Sequence, residues 1–218
     1  MENFDEDPLR RNVIEFAQRL SSEGLSMGTS GNVSVRIDES RFLITPTALP
    51  YDSLELQDVC LVDLNHPEVQ QGLRKPSSET PMHTAVYLAR PDIHALVHTH
   101  SLYATAFACA GKPVSAVHYI VATMGNEIPV VPYRTYGSPE LADAVMQTFR
   151  TGLGVLLQNH GVLAAGKTLQ EAFYHATTIE YLAHLSFVAQ SLGGPILLSA
   201  AELDTVREKF KGYNQNKL

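Results

Sequence analysis

Asn32-Val33-Ser34-Val35-Arg36-Ile37 and, across Asp38-Glu39-Ser40, Arg41-Phe42-Leu43-Ile44-Thr45 are the two runs from which the architecture is read. The first alternates apolar and polar residues with period two, the pattern of a half-buried strand. The second is β-rich, and the acidic turn between them predicts an antiparallel hairpin. A third strand fits residues 59–63. Upstream, Leu9, Val13, Phe16, Ala17 and Leu20 recur at helical spacing, and Gly24 ends that helix.

Downstream the pattern changes character. A helix begins near Ser78 or Thr80, helped by Pro81 in its first turn, and stops before Pro91. Residues 93–100 are β-rich, and a small-residue helix over 101–110 ends at Gly111. Residues 128–133 are extended but broken by prolines, which suits an edge strand or a covering loop. Ser138 caps a helix over 139–149. Residues 154–158 and 162–165 flank Asn159-His160-Gly161, a hairpin with a histidine at its tip. Thr168 with Glu171 reads as a capping box opening the longest helix, which ends near Gly193-Gly194. A short helix over 201–211 follows. Mixed helices and strands, with hairpins early and late, predict one layered α/β or α+β domain over residues 1–218.

Composition narrows the function classes. The chain has 218 residues, 44% hydrophobic and 18% charged, an ordinary globular balance. A net charge of −7 gives no general electrostatic reason to bind nucleic acid or an acidic membrane. The acidic start, Met1-Glu2-Asn3-Phe4-Asp5, has no signal-peptide core, and no apolar run is long enough to span a bilayer. Cys60 and Cys109 have neither metal-site nor disulfide spacing and read as core thiols in a reducing cytoplasm.

Four stretches and one further histidine carry candidate chemistry. In Val97-His98-Thr99-His100, strand alternation aims both histidines to one side, a chelating pair for zinc. A lone His-x-His is as often two ordinary histidines. His160, held between two strands with Gly161 allowing a tight turn, is a natural third ligand, and three histidines leave a metal position open for chemistry. Lys75-Pro76-Ser77-Ser78-Glu79 places two hydroxyls at a helix N-terminus, where free amides and the dipole favour an anion. Residues 28–34 form a glycine-rich turn without the lysine or spacing of a nucleotide loop, yet its amides could cradle a phosphate. Thr45-Pro46-Thr47-Ala48-Leu49-Pro50 is a second hydroxyl-rich turn. Taken singly, these last two turns are more often plain loops.

The ordered set is far more specific. Residues 28–34, 43–51, 75–79, 98–100, His118-Tyr119-Ile120, 158–161 and 209–213 together resemble the L-fuculose-1-phosphate aldolase branch of the class II aldolase/epimerase family, over nearly the whole chain. The resemblance implies a three-layer α/β/α fold with a central, mainly antiparallel sheet, assembled as a C4 homotetramer with active sites between subunits. It implies a zinc ion held by His98, His100 and His160, with Glu79 as an additional ligand that doubles as the catalytic carboxylate. It implies phosphate contacts at Gly31, Asn32, Thr47, Ala48, Ser77 and Ser78, a tyrosine acid at Tyr119, and a catalytic Tyr213 on a mobile tail from about residue 207. One position departs from the pattern: Ala48 stands where a glycine is usual, which a phosphate-binding amide tolerates unless the turn needs a positive φ.

The implied reaction is reversible cleavage of a ketose 1-phosphate into dihydroxyacetone phosphate and an aldehyde, in the cytoplasm. A Schiff-base route is disfavoured because the lysines sit in loops or the tail rather than mid-strand in an apolar pocket. Two alternatives remain on the same scaffold. A pentulose-5-phosphate 4-epimerase typically carries Asp where Glu79 stands and a longer C-terminal region. A non-catalytic adducin-like interaction domain lacks the metal histidines.

Overall fold

The 32–45 hairpin is present in the computed structural model, which describes residues 5–69 and 72–213. Strands β1 (Asn32–Arg36) and β2 (Arg41–Ile44) pair antiparallel, with Ser34 opposite Ile44, and β3 (Cys60–Asp63) extends them on the β2 side. Strand β4 (Ala95–Thr99) pairs antiparallel with β1, and β7 (Gly161–Gly166) pairs antiparallel with β4. Beyond β7 come β6 (Gly154–Leu157), antiparallel to it, and β5 (Val130–Val131), a short parallel edge. The order is β3-β2-β1-β4-β7-β6-β5, a mostly antiparallel seven-stranded sheet.

Helices cover both faces, as strand alternation requires. One core gathers Val33, Val35, Leu43 and Val97 under Val13, Phe16 and Leu20 of α1 (Asp7–Ser22), Ala104 of α3 (Leu102–Cys109), and Phe173 and Ile179 of α5 (Leu169–Ser191). The other gathers Phe42, Ile44, Leu96, Val155 and Leu163 under Met82, Val86 and Tyr87 of α2 (Thr80–Ala89), and Leu141 and Val145 of α4 (Pro139–Thr148). Each residue of these strands therefore faces one helical layer or the other, the α/β/α arrangement. Fully burying each large side chain contributes about 1.5–3 kcal/mol before conformational entropy is charged against it.

Several local expectations change in detail. Thr168 caps α5 by accepting from the Glu171 amide, but Glu171 accepts from the Lys167 amide rather than completing a reciprocal box. Cys60 is buried as read, whereas Cys109 is exposed, because it falls on the solvent side of α3. The last helix, α6 (Ala200–Tyr213), is longer than read and includes the first residues of the expected tail. Its Arg207 bonds the Ala122 and Gly125 carbonyls. Residues 214–218 and the Tyr213 side chain lie outside the described residues. Among the described residues, no helix is long and apolar enough to cross a membrane.

Candidate functional site

The C-terminal end of β4 organises the site. Leu96 points into the α2/α4 layer, so the two-residue repeat puts His98 on that same face. His98 is 1% exposed, and its Nδ1 lies 2.7 Å from the Val162 carbonyl. A carbonyl only accepts, so Nδ1 carries the proton and Nε2 presents a lone pair. That lone pair faces His100 Nε2 at 2.9 Å. His160, from the β6–β7 turn, completes the group, and one ring nitrogen from each of the three lies within 4.8 Å of the others.

The turn that delivers His160 works differently from the reading of the sequence. The left-handed residue is Asn159, at φ 55°, a conformation asparagine tolerates. Gly161 is needed for room instead. A Cβ there would sit 2.3 Å from the Thr99 carbonyl oxygen and 2.8 Å from His100 Cδ2, so a side chain would push β7 off the histidine-bearing end of β4.

Glu79 closes the fourth side. It sits at the N-cap of α2, 5% exposed, with Oε2 3.5 Å from His160 Nε2 and 3.7 Å from His98 Nε2. Burial pushes its pKa up to about 7, while the Gly137 amide pulls the other way without forming a hydrogen bond of ordinary geometry. Burial likewise drives His160 down to about 4 and His98 well below the usual histidine range, with the neighbouring imidazoles adding to the effect. Neutral imidazoles and a carboxylate without a hydrogen-bond partner are the donor set of a zinc-class cation. The residues fit such an ion.

Three loops bring polar groups to the same place. The buried Tyr51 hydroxyl donates to the Gly31 carbonyl at 2.6 Å, fixing the glycine-rich turn. The other two loops tie to each other through Thr47 N to Lys75 O at 3.0 Å and Ser77 N to Thr45 O at 3.1 Å. Ala48 has φ 55°, so the turn does require the left-handed region that favours glycine. Gly31, Asn32, Thr47, Ala48, Ser77, Ser78, Glu79 and the three histidines all line one cavity of about 330 Å³.

Two expected residues are not brought there. Tyr119, half exposed on the 3-10 turn Tyr119–Thr123, lines a different cleft beside Arg207 and Phe210. Tyr213 begins where side chains are no longer described. Conversely, Tyr133, Arg134, Tyr136 and Asn159 line the cavity without having been singled out from the sequence. The only signal for the first three was the polar segment between Pro132 and Ser138, whereas Asn159 stood in the hairpin tip beside His160. The remaining histidines have other partners. His83 lies fully buried against the Ser34 hydroxyl rather than the Glu79 side chain, His175 bonds the Ala165 carbonyl, and His184 stacks on Tyr103.

A seven-stranded layered domain with three imidazoles and a buried carboxylate converging at one strand end, beside hydroxyl-rich loops, defines an aldolase of the metal-dependent, lysine-independent class. The chain belongs to the class II aldolase family: the family described as "Class II Aldolase and Adducin N-terminal domain" matches residues 11–187. It is 38% identical over 207 residues to a 5-deoxy-D-ribulose 1-phosphate aldolase of Bacillus thuringiensis serovar kurstaki, covering 94% of this chain and 97% of that protein. It is 37% identical over 212 residues to an L-fuculose phosphate aldolase of Escherichia coli (strain K12), covering 96% and 97%. A solved L-fuculose 1-phosphate aldolase superimposes with a TM-score of 0.91 at 36% identity, covering 95% of this chain and 98% of that one.

Proposed function

We propose that this chain reversibly cleaves a ketose 1-phosphate, L-fuculose 1-phosphate or a related 5-deoxy or 5-methylthio pentulose 1-phosphate, into dihydroxyacetone phosphate and an aldehyde. One observation carries the reading: the His98, His100 and His160 cluster and the unpaired Glu79 carboxylate share a cavity with three loops of hydroxyls and amides. When bound by those histidines and Glu79, a zinc-class cation supplies a Lewis acid for a carbonyl oxygen.

The protein's own groups divide the remaining work. Asn32, Thr47, Ser77 and Ser78, with the Gly31 and Ala48 amides, hold the phosphate. Glu79 takes and returns the proton at the dihydroxyacetone phosphate carbon, its pKa set by burial, which raises it, against the opposite pull of a bound cation. Its helix-start position and close packing keep the carboxylate aimed at one place.

Tyr119 donates to the aldehyde oxygen from a neighbouring subunit, and Tyr213 on the tail covers the site and excludes water. The exposure of Tyr119 and its distance from its own chain's cavity suit a residue used in trans. Exposed Tyr174, Tyr181 and Phe187 on α5 give the proposed C4 homotetramer an apolar surface to bury. Cys60 and Cys109, both unpaired, suit the cytoplasm.

The test is an assay for triose release coupled to glycerol-phosphate dehydrogenase, with fuculose, deoxyribulose and methylthioribulose 1-phosphates, run beside ribulose 5-phosphate. Released dihydroxyacetone phosphate from at least one ketose 1-phosphate is expected. Conversion of ribulose 5-phosphate to xylulose 5-phosphate, with no triose from any 1-phosphate, would replace the aldolase by an epimerase on the same metal site.

A further inference from the structure

The segment between β5 and α4 bridges the two sides of the cavity. At one end the Tyr133 amide donates to Gln158 Oε1 at 3.0 Å, next to the His160 turn. At the other end Gly137, at φ 69°, packs so closely on Ser78 that a Cβ would lie 2.6 Å from its carbonyl oxygen. Arg134 stands between these anchors and lines the cavity.

Arg134 is the one lysine or arginine among the described residues lining that cavity. It is exposed, and no carboxylate pairs with it among the described residues. Its single hydrogen bond runs from Nη1 to the carbonyl of its own neighbour, Tyr133, at 2.7 Å. A guanidinium has five N–H donors in a planar fork, so most of the fork is free. Arginine held for structure is ordinarily tied to an acid or to distant carbonyls, as Arg207 and Arg36 are here.

We infer that Arg134 is a specificity-determining residue whose guanidinium binds the phosphate of the sugar-phosphate substrate. The inference rests on the proposed ketose 1-phosphate reading. The phosphate is the only formal charge on such a substrate, and the loops proposed to hold it offer neutral amides and hydroxyls. A dianion in that setting gains most from a planar, always-charged fork. The Gly137 contact ties the Arg134 segment to the Ser77-Ser78 loop rather than to a remote surface. Arg134 therefore favours phosphorylated over neutral ketoses without touching the atoms that react.

Calorimetric titration of the metal-loaded full chain with dihydroxyacetone phosphate tests this, at low and moderate salt, for wild type, Arg134→Gln and Arg134→Lys. The glutamine variant should bind roughly ten- to a hundredfold more weakly, the range for losing a charge-assisted contact. Its salt dependence should be shallower than wild type, and its melting temperature unchanged. Lysine should recover part of the affinity as a point charge. Equal affinity and salt dependence in wild type and glutamine variant would overturn the role of Arg134 and leave the aldolase reading intact. Weakening with an unaltered salt dependence and no recovery by lysine would overturn it too, in favour of a structural role. A wild type that does not bind dihydroxyacetone phosphate at all would remove the substrate reading and this inference together.

Discussion

Two buried histidine groups occupy the α2 layer, a short distance apart along the sheet, and only one has the form of a working site. His83 is enclosed, with Nδ1 2.7 Å from the Ser34 hydroxyl, which also meets the Tyr87 hydroxyl at 2.7 Å. His98 likewise satisfies Nδ1, on Val162, but its Nε2 opens onto two other imidazoles, a carboxylate and a cavity. Burial depresses the pKa of both rings, to about 3 for His83. A shifted pKa therefore does not separate them. What separates them is where the second nitrogen points: into packing for His83, and into a convergent donor set with room beside it for His98.

The sharpest way to break this comparison is at Glu79, the acid that completes one group and is absent from the other. Glu79→Gln should keep the fold and much of the metal while turnover falls roughly 10²–10⁴-fold, the usual range for general acid–base catalysis. Near-normal turnover would reduce Glu79 to a residue that merely suits a helix start.

His83 sharpens the comparison from the other side. Its folded pKa lies below that of an unfolded histidine, near 6.5, so the neutral ring stabilises the fold fully above that value. As pH falls from 6.5 toward 3, the unfolded chain takes up a proton that the folded one refuses. Stability should drop by up to about 1.4 kcal/mol per pH unit on this account. The metal histidines contribute with the same sign, so the measurement is a difference: urea midpoints from pH 6 to 4 for metal-free wild type and His83→Gln. The wild type should show the steeper fall, and parallel curves would mean that His83 titrates normally.

The smallest effect concerns Ala48. Its φ of 55° holds a side chain where glycine is at ease. Ala48→Gly should raise stability by about 1 kcal/mol or somewhat less, because relief of strain outweighs the added freedom of the unfolded chain. Urea unfolding measures it, and a loss of stability would show the turn to be unstrained.

Much of this was legible because local signals and site coincide. The period-two run at Asn32, the His98/His100 alternation and the Asn159-His160-Gly161 turn each encode both a structural element and the direction of a functional group. The parallel β5–β6 edge and the pairing of β1 with β4 were less accessible, since they join segments far apart in sequence. Arg134 was passed over because a charged residue in a proline-bounded loop looks the same whether or not it borders a cavity. Gly161 was correctly marked but for the wrong reason, since crowding against Thr99 and His100 comes from a neighbouring strand. Cys109 was misplaced because small residues surround α3 and hide which face is solvated. Tyr119 lines a separate cleft of its own chain, so no local pattern around it points to the cavity.

The central claim is that His98, His100 and His160 together hold a catalytic cation, and metal content tests it most directly. Purified wild type, loaded with zinc and freed of excess, should carry one ion per chain by elemental analysis. His100→Ala should remain folded and carry little or none, because the Nε2 that faces His98 at 2.9 Å is gone. Full metal content in His100→Ala, or none in the loaded wild type, would contradict the account.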